Sequence, residues 1–110
     1  MGEDTAVEWH RAARADELEE GEPKLVAAGK FQIALCKVAG QCYAIDDICT
    51  HEYASLCDGV VEGDSIECPL HQAKFHIPTG KVLTPPAADD LKSYPVKVEN
   101  GEVLIGLPKG

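Results

Sequence analysis

Two short pairs constrain this chain more than any other feature: Cys49-Thr50-His51 and, downstream, Cys68-Pro69-Leu70-His71. Each pair sets a soft thiolate and an imidazole on one tight loop. Such a set serves a shared inorganic centre only if the fold brings the two loops together. Every other feature of the sequence is weighed against that requirement.

The surrounding pattern is that of short strands broken by turn residues, with no helical period sustained along the chain. Strands are expected at Val7–Arg11, Lys24–Ala27, Phe31–Val38, Gln41–Ile45, Val60–Glu62, Ser65–Cys68, Lys74–Ile77, Tyr94–Glu99 and Val103–Leu107. Alternation is clearest in Tyr94–Glu99, where Val96 and Val98 share a face. Asn100-Gly101 reads as a two-residue hairpin turn, because both central positions of a type I′ turn need positive φ. Ala39-Gly40 and Glu62-Gly63-Asp64 read as further hairpin connections. A single helix-like turn is expected over Ala15–Glu20, ended by Gly21, and Pro85-Pro86 reads as a stiff loop. These elements predict an all-β chain of packed antiparallel sheets, with residues 1–110 forming one domain.

Composition narrows the function classes. Nineteen acids against ten bases give a formal net charge of -9, which opposes binding to nucleic acid or an anionic membrane. Seven acids (Asp46, Asp47, Glu52, Asp58, Glu62, Asp64 and Glu67) fall in a stretch without Lys or Arg. That stretch is either a solvated surface or a docking face for a basic partner. No apolar run approaches a membrane span, and the acidic N-terminus is unlike a secretory signal, so a cytoplasmic protein is expected. The five cysteines therefore do not suggest a disulfide framework. Cys36 and Cys42 read as small core residues and Cys57 as a bystander thiol.

The paired Cys and His leave three kinds of site open. A structural zinc site accepts two of each, although Cys-x-His is tighter than the usual zinc spacing. A catalytic Cys–His pair needs only one Cys, which leaves the duplicate without a role. A binuclear iron–sulfur centre uses all four, one iron taking both thiolates and the other both imidazoles.

Cys-Thr-His followed by Cys-Pro-Leu-His on an all-β chain resembles the Rieske-type [2Fe–2S] ferredoxins, and the likeness runs from Val7 to Leu107. It implies a Rieske fold, in which a base of antiparallel sheets carries a small cluster-binding lobe made of two loops, here about residues 46–86. It also implies Cys49 and Cys68 on the inner iron, His51 and His71 on the outer, and Pro85-Pro86 in a third loop that shields the cluster. Two ferric ions, two sulfides and two thiolates sum to zero charge, so reduction is easier than for a four-Cys cluster.

Departures from the respiratory and photosynthetic Rieske pattern point to one branch of the family. Their loop-bridging Cys pair is replaced by Ala54 and Leu70. Their sulfur-directed Ser and Tyr donors are replaced by Ala73 and Phe75, whose side chains carry no donor. A reduced cluster with fewer donors is less stabilised, so a potential near the low end of the Rieske range, roughly -150 mV, is expected. The chain then resembles the ferredoxin component of bacterial aromatic-ring-hydroxylating dioxygenase systems. That resemblance implies an electron carrier with no catalytic residues of its own, and a monomer is the default expectation for a carrier that must visit two partners. It takes electrons from an NAD(P)H-dependent, flavin-containing ferredoxin reductase and passes them singly to a terminal oxygenase with its own Rieske cluster. Gln72 stands where Gly is common, and Glu52 where neutral residues are common. Glu52 is either a steering charge for a basic partner or an uninvolved rim charge. His10 and His76 read as ordinary strand or loop residues. Two alternatives keep part of this pattern: a Rieske-like small subunit of an NADH-dependent nitrite reductase, and a zinc-stabilised binding module without a redox role.

Overall fold

The computed structural model describes residues 7–28, 31–48, 54–69, 73–84 and 89–108. Its strands are β1 (Val7–Arg14), β2 (Lys24–Ala28), β3 (Phe31–Val38), β4 (Gln41–Asp46), β5 (Val60–Glu62), β6 (Ser65–Glu67), β7 (Lys74–His76), β8 (Val82–Thr84), β9 (Ser93–Tyr94), β10 (Val96–Glu99) and β11 (Glu102–Pro108). Among the described residues they form three sheets, ordered β1-β11-β10, β2-β3-β4-β9 and β5-β6-β7-β8. Every pairing within them is antiparallel. The expected all-β, antiparallel class is therefore the observed one.

β3 explains how the layers stack. Ile33, Ala34, Leu35 and Cys36 are all buried, so this strand has no solvent face along its middle. Ile33 and Leu35 pack with Ala13, Leu18, Ala44, Val103, Ile105 and Leu107 on one side. Ala34 and Cys36 pack with Ile45, Leu56, Ile66, Phe75 and Ile77 on the other. The two-residue period of a strand makes this partition. Burial on both faces also explains why the stretch reads as a continuous apolar run. The β2-β3-β4-β9 sheet is thus a middle layer. The β1-β11-β10 sheet completes the base on one side, and the small β5-β6-β7-β8 sheet forms the lobe on the other.

The turns follow their residues. Asn100-Gly101 joins β10 to β11 with φ of 53° and 78°, as a type I′ turn requires. Ala39-Gly40 joins β3 to β4 with φ of 51° and 82°, so an alanine occupies a left-handed position there. The Glu20 carboxylate clamps this turn, accepting the Ala39 N–H at 3.0 Å and the Gly40 N–H at 2.7 Å.

Some expected elements differ. β1 runs on to Arg14, its pairing with β11 shifted between Arg11 and Ala13. The expected strand Tyr94–Glu99 is two strands in two sheets. β9 pairs with β4, whereas β10 pairs with β11, and Pro95 lies between them. Proline has no N–H for a ladder, so it marks the crossing; its carbonyl still accepts the Gly106 N–H at 2.9 Å. Val96 packs on the core while Val98, although on the same face, is half exposed. β8 was not expected, and the helical piece shortens to a 3₁₀ turn over Ala15–Glu17. Leu18 then turns into the core, and Glu19 bridges to Glu22 around Gly21 at φ 80°. Pro85-Pro86 lies outside the described residues.

Candidate metal centre

Cys49, His51 and His71 lie outside the described residues, as do Glu52, Leu70 and Gln72. Cys68 and the stems of both ligand loops are described. The first stem is the bridge between Ile48 and Ser55. The second is closed by the Cys68 N–H, which donates to the Ala73 carbonyl at 2.7 Å beyond the last β6–β7 pair, Glu67 and Lys74.

Both stems close on one apolar cluster. Ala54, Leu56, Ile66, Cys68, Ala73 and Phe75 are all buried in it. Cys68 is 1% exposed, so its sulfur is offered from inside an apolar wall, not from the rim. Its neighbours in the cluster at the loop ends, Ala54 and Ala73, are small. Soft sulfur donation from a dry wall, beside small side chains where two loops meet, fits an iron–sulfur group between the loops. The stems of the two motif-bearing segments thus meet at one apolar cluster.

Asp47 is the residue that the sequence pattern misplaces. Counted there with the acids of a solvated or docking stretch, it is 1% exposed. Its Oδ2 accepts the Ser55 hydroxyl at 2.6 Å, and its Oδ1 accepts the Cys57 N–H at 3.0 Å. Its own N–H donates to the Gln32 carbonyl at 3.0 Å, and its carbonyl accepts the Leu56 N–H at 2.7 Å. These partners are what make a buried carboxylate tolerable. Strand parity carried the signal: two residues past Ile45, Asp47 continues the inward face of β4. Asp46 points the other way and accepts the Tyr94 hydroxyl at 2.5 Å. Of the remaining described acids in the stretch, Asp58, Glu62 and Asp64 are exposed and Glu67 is half-buried.

Burial and the hydrogen bond to Asp47 push the Cys57 thiol well above its ordinary range. Cys36 is pushed up to about 12 by burial and by the Asp47 charge. Both therefore stay protonated and poorly nucleophilic at neutral pH, in keeping with their reading as bystander and core residues. Tyr94 is likewise raised, by burial and then by its bond to Asp46.

Further contacts brace the second and third segments. His76 bonds through Nδ1 to Thr79 Oγ1 at 2.8 Å and through Nε2 to Asp64 Oδ2 at 3.0 Å. It thereby ties the end of β7 to the β5–β6 turn. The Val82 N–H donates to Asp90 Oδ1 at 2.8 Å, joining the two flanks of residues 85–88. Gly80, at φ 79°, sits so close to the Leu91 backbone that a Cβ there would collide with the Leu91 carbonyl.

Known proteins agree with this geometry. The ferredoxin component of the naphthalene 1,2-dioxygenase/salicylate 5-hydroxylase systems of Ralstonia sp is 46% identical over 97 residues, covering 88% of this chain and 93% of that one. Among solved structures, the Sphingomonas yanoikuyae B1 ferredoxin superposes with a TM-score of 0.88 at 36% identity, covering 92% of this chain and 100% of that one. A chain from the complex of reduced oxygenase and oxidized ferredoxin in carbazole 1,9a-dioxygenase superposes with a TM-score of 0.86 at 35% identity, covering 93% of this chain and 96% of that one. The family model of the Rieske [2Fe-2S] domain matches residues 8–95. The chain belongs to the Rieske [2Fe-2S] domain family, and its cofactor is a Rieske-type [2Fe–2S] cluster.

Proposed function

We propose that this chain is the low-potential ferredoxin of an aromatic-ring-hydroxylating dioxygenase system. It carries single electrons from an NAD(P)H-dependent flavin reductase to a terminal oxygenase, as a cytoplasmic monomer that catalyses no reaction itself. Cys49 and Cys68 hold the inner iron and His51 and His71 the outer, all within one domain spanning residues 1–110. The observation that carries this reading is the closure of both ligand-loop stems on the buried cluster around Cys68. When bound, the [2Fe–2S] group supplies a one-electron couple, and two neutral imidazoles in place of two thiolates raise its potential above that of a four-Cys centre.

The chain's own residues set the rest. Cys68 holds its sulfur away from water. Ala73 and Phe75 are fully buried and place a methyl and a phenyl group where sulfur-directed donors stand in high-potential relatives, which supports a potential at the low end of the range. For the oxygenase as a partner, support comes from the similar chain in the carbazole 1,9a-dioxygenase complex, which pairs oxygenase with ferredoxin. The similarity to ferredoxin components of dioxygenase systems favours this reading over the nitrite reductase subunit.

The test is spectroscopic and kinetic. Purified protein is expected to be red-brown, to show the reduced-state EPR signal of a His-ligated binuclear cluster, and to mediate electron flow from a flavin reductase to a ring-hydroxylating oxygenase. His71→Ala is expected to abolish that EPR signal. A colourless, EPR-silent protein holding zinc would instead support the binding-module alternative.

A further inference from the structure

Asp47 is the only charged residue buried among the described residues, and its carboxylate accepts from neutral groups there, the Ser55 hydroxyl and the Cys57 N–H. A carboxylate so placed contributes less to stability than a well-packed apolar residue of similar size, because desolvating the charge offsets much of what its hydrogen bonds return. Its use there lies in geometry. Its two oxygens each accept a donor from the far arm of the loop, the Ser55 hydroxyl on one and the Cys57 N–H on the other, so both donors are drawn to one point. The near arm, β4, is fixed by its ladder with β3 and by the Asp47 N–H to the Gln32 carbonyl. The far arm, Ser55 to Cys57, has only the single bridge of Ser55 to Ile48 and the Leu56 N–H to the Asp47 carbonyl before it enters the 3₁₀ turn Leu56–Asp58.

We propose that Asp47 is the positioning residue of the first ligand loop. By tying Ser55, Leu56 and Cys57 to the end of β4, it sets the separation of the two arms between which Cys49 and His51 are carried. The Ile48–Ser55 bridge is the last rung before the loop, and the Asp47 contacts lock the rung behind it. This inference rests on the ligand assignment proposed above, and it predicts that loosening Asp47 degrades the placement of the ligands without unfolding the base.

The experiment compares the cluster-loaded wild type with Asp47→Asn, Ser55→Ala and a control, Ile105→Val, which thins the other core cluster. Asparagine keeps the size of Asp47 but turns an NH₂ toward one of its donors. Three quantities are read: the rate of iron release to a ferrous chelator, the shape of the reduced-state EPR signal, and the thermal midpoint. Asp47→Asn is expected to release iron roughly tenfold faster, within the range seen when partners of metal ligands are lost, and to distort the EPR signal. Ser55→Ala is expected to act in the same direction to a smaller extent. Ile105→Val is expected to lower the thermal midpoint while leaving release and signal unchanged. Asp47→Asn matching the wild type in both release and signal overturns the proposal. So does Ile105→Val reproducing its effects at equal loss of stability. If Asp47→Asn fails to fold, Ser55→Ala carries the test, and unchanged iron release in it overturns the proposal. The wild-type spectrum, read first, reports separately on the cluster assignment itself.

Discussion

The base and the lobe of this molecule share one strand layer but are held together by different means. In the base, β1 pairs with β11 along seven positions, and the apolar cluster beneath them draws mainly on β1, β3 and β11. In the lobe, β5, β6, β7 and β8 are each three residues long. Strands that short contribute few ladder bonds and are marginal by themselves. Side-chain clamps supplement those ladders. Asp47 holds Ser55 and Cys57, Thr84 accepts the Lys74 N–H, Asp90 accepts the Val82 N–H, and His76 bonds both Thr79 and Asp64. The base rests on its longer ladders, whereas the lobe leans on side-chain clamps as well.

The strongest way to break this comparison is to remove the iron. Metal-binding free energy at a site formed by loops is folding free energy for those loops. Stripping the cluster with a chelator is expected to lower the hydrogen-exchange protection of Leu56, Ile66 and Cys68 by roughly a hundredfold or more, while Val103 and Ile105 keep theirs. Equal loss in both regions would mean one cooperative unit. No loss in either would mean that the clamps alone suffice.

A pair of core truncations sharpens the same point. Ile105 and Ile66 are both fully buried, one in each cluster. Ile105→Ala is expected to cost about 2–5 kcal/mol in urea unfolding, with or without the cluster. Ile66→Ala is expected to fall in that range only in the cluster-loaded protein. In the iron-free protein its cost is expected to drop below about 0.5 kcal/mol, because the side chain it truncates is no longer packed. A full cost in the iron-free protein would show a lobe that folds without its metal.

The same division governs what the sequence disclosed. The base was legible in outline: Phe31–Val38 read as a strand and Asn100-Gly101 as a hairpin turn, while the burial of Ile33–Cys36 on both faces came only with the structure. Pro95 was visible too, yet the alternation on either side of it read as one strand, because a pattern of side chains does not record which sheet each half joins. The lobe was announced by its paired Cys–His motifs, whose family is the one shown, and was obscure in its scaffold. β8 is three residues between Lys81 and the Pro85-Pro86 segment, too short for a period to register. Asp47 was read by its residue type, which predicts solvent, and not by its strand parity, which predicts burial. What placed it inside were partners ten residues away or fewer, invisible until the loop closed.

The smallest expected effect concerns the turns of the base, where the two hairpins carry different residues at one position. Asn100 at φ 53° is a residue type that tolerates the left-handed region, whereas Ala39 at φ 51° is not. Glu20 offsets that strain by accepting both N–H groups of the turn from an exposed carboxylate. Glu20→Ala is expected to cost about 1 kcal/mol in urea unfolding, the ordinary net worth of such hydrogen bonds. Ala39→Gly is expected to act oppositely. Removing the Cβ relieves about 1–2 kcal/mol of left-handed strain, while the freer unfolded chain takes back about 0.4–1 kcal/mol, leaving a gain of roughly half a kcal/mol. That gain should persist in the Glu20→Ala background, since it comes from the backbone and not from the clamp. A loss of stability in Ala39→Gly would show that the turn carries no such strain, and that Glu20 reinforces a comfortable turn instead of holding a reluctant one.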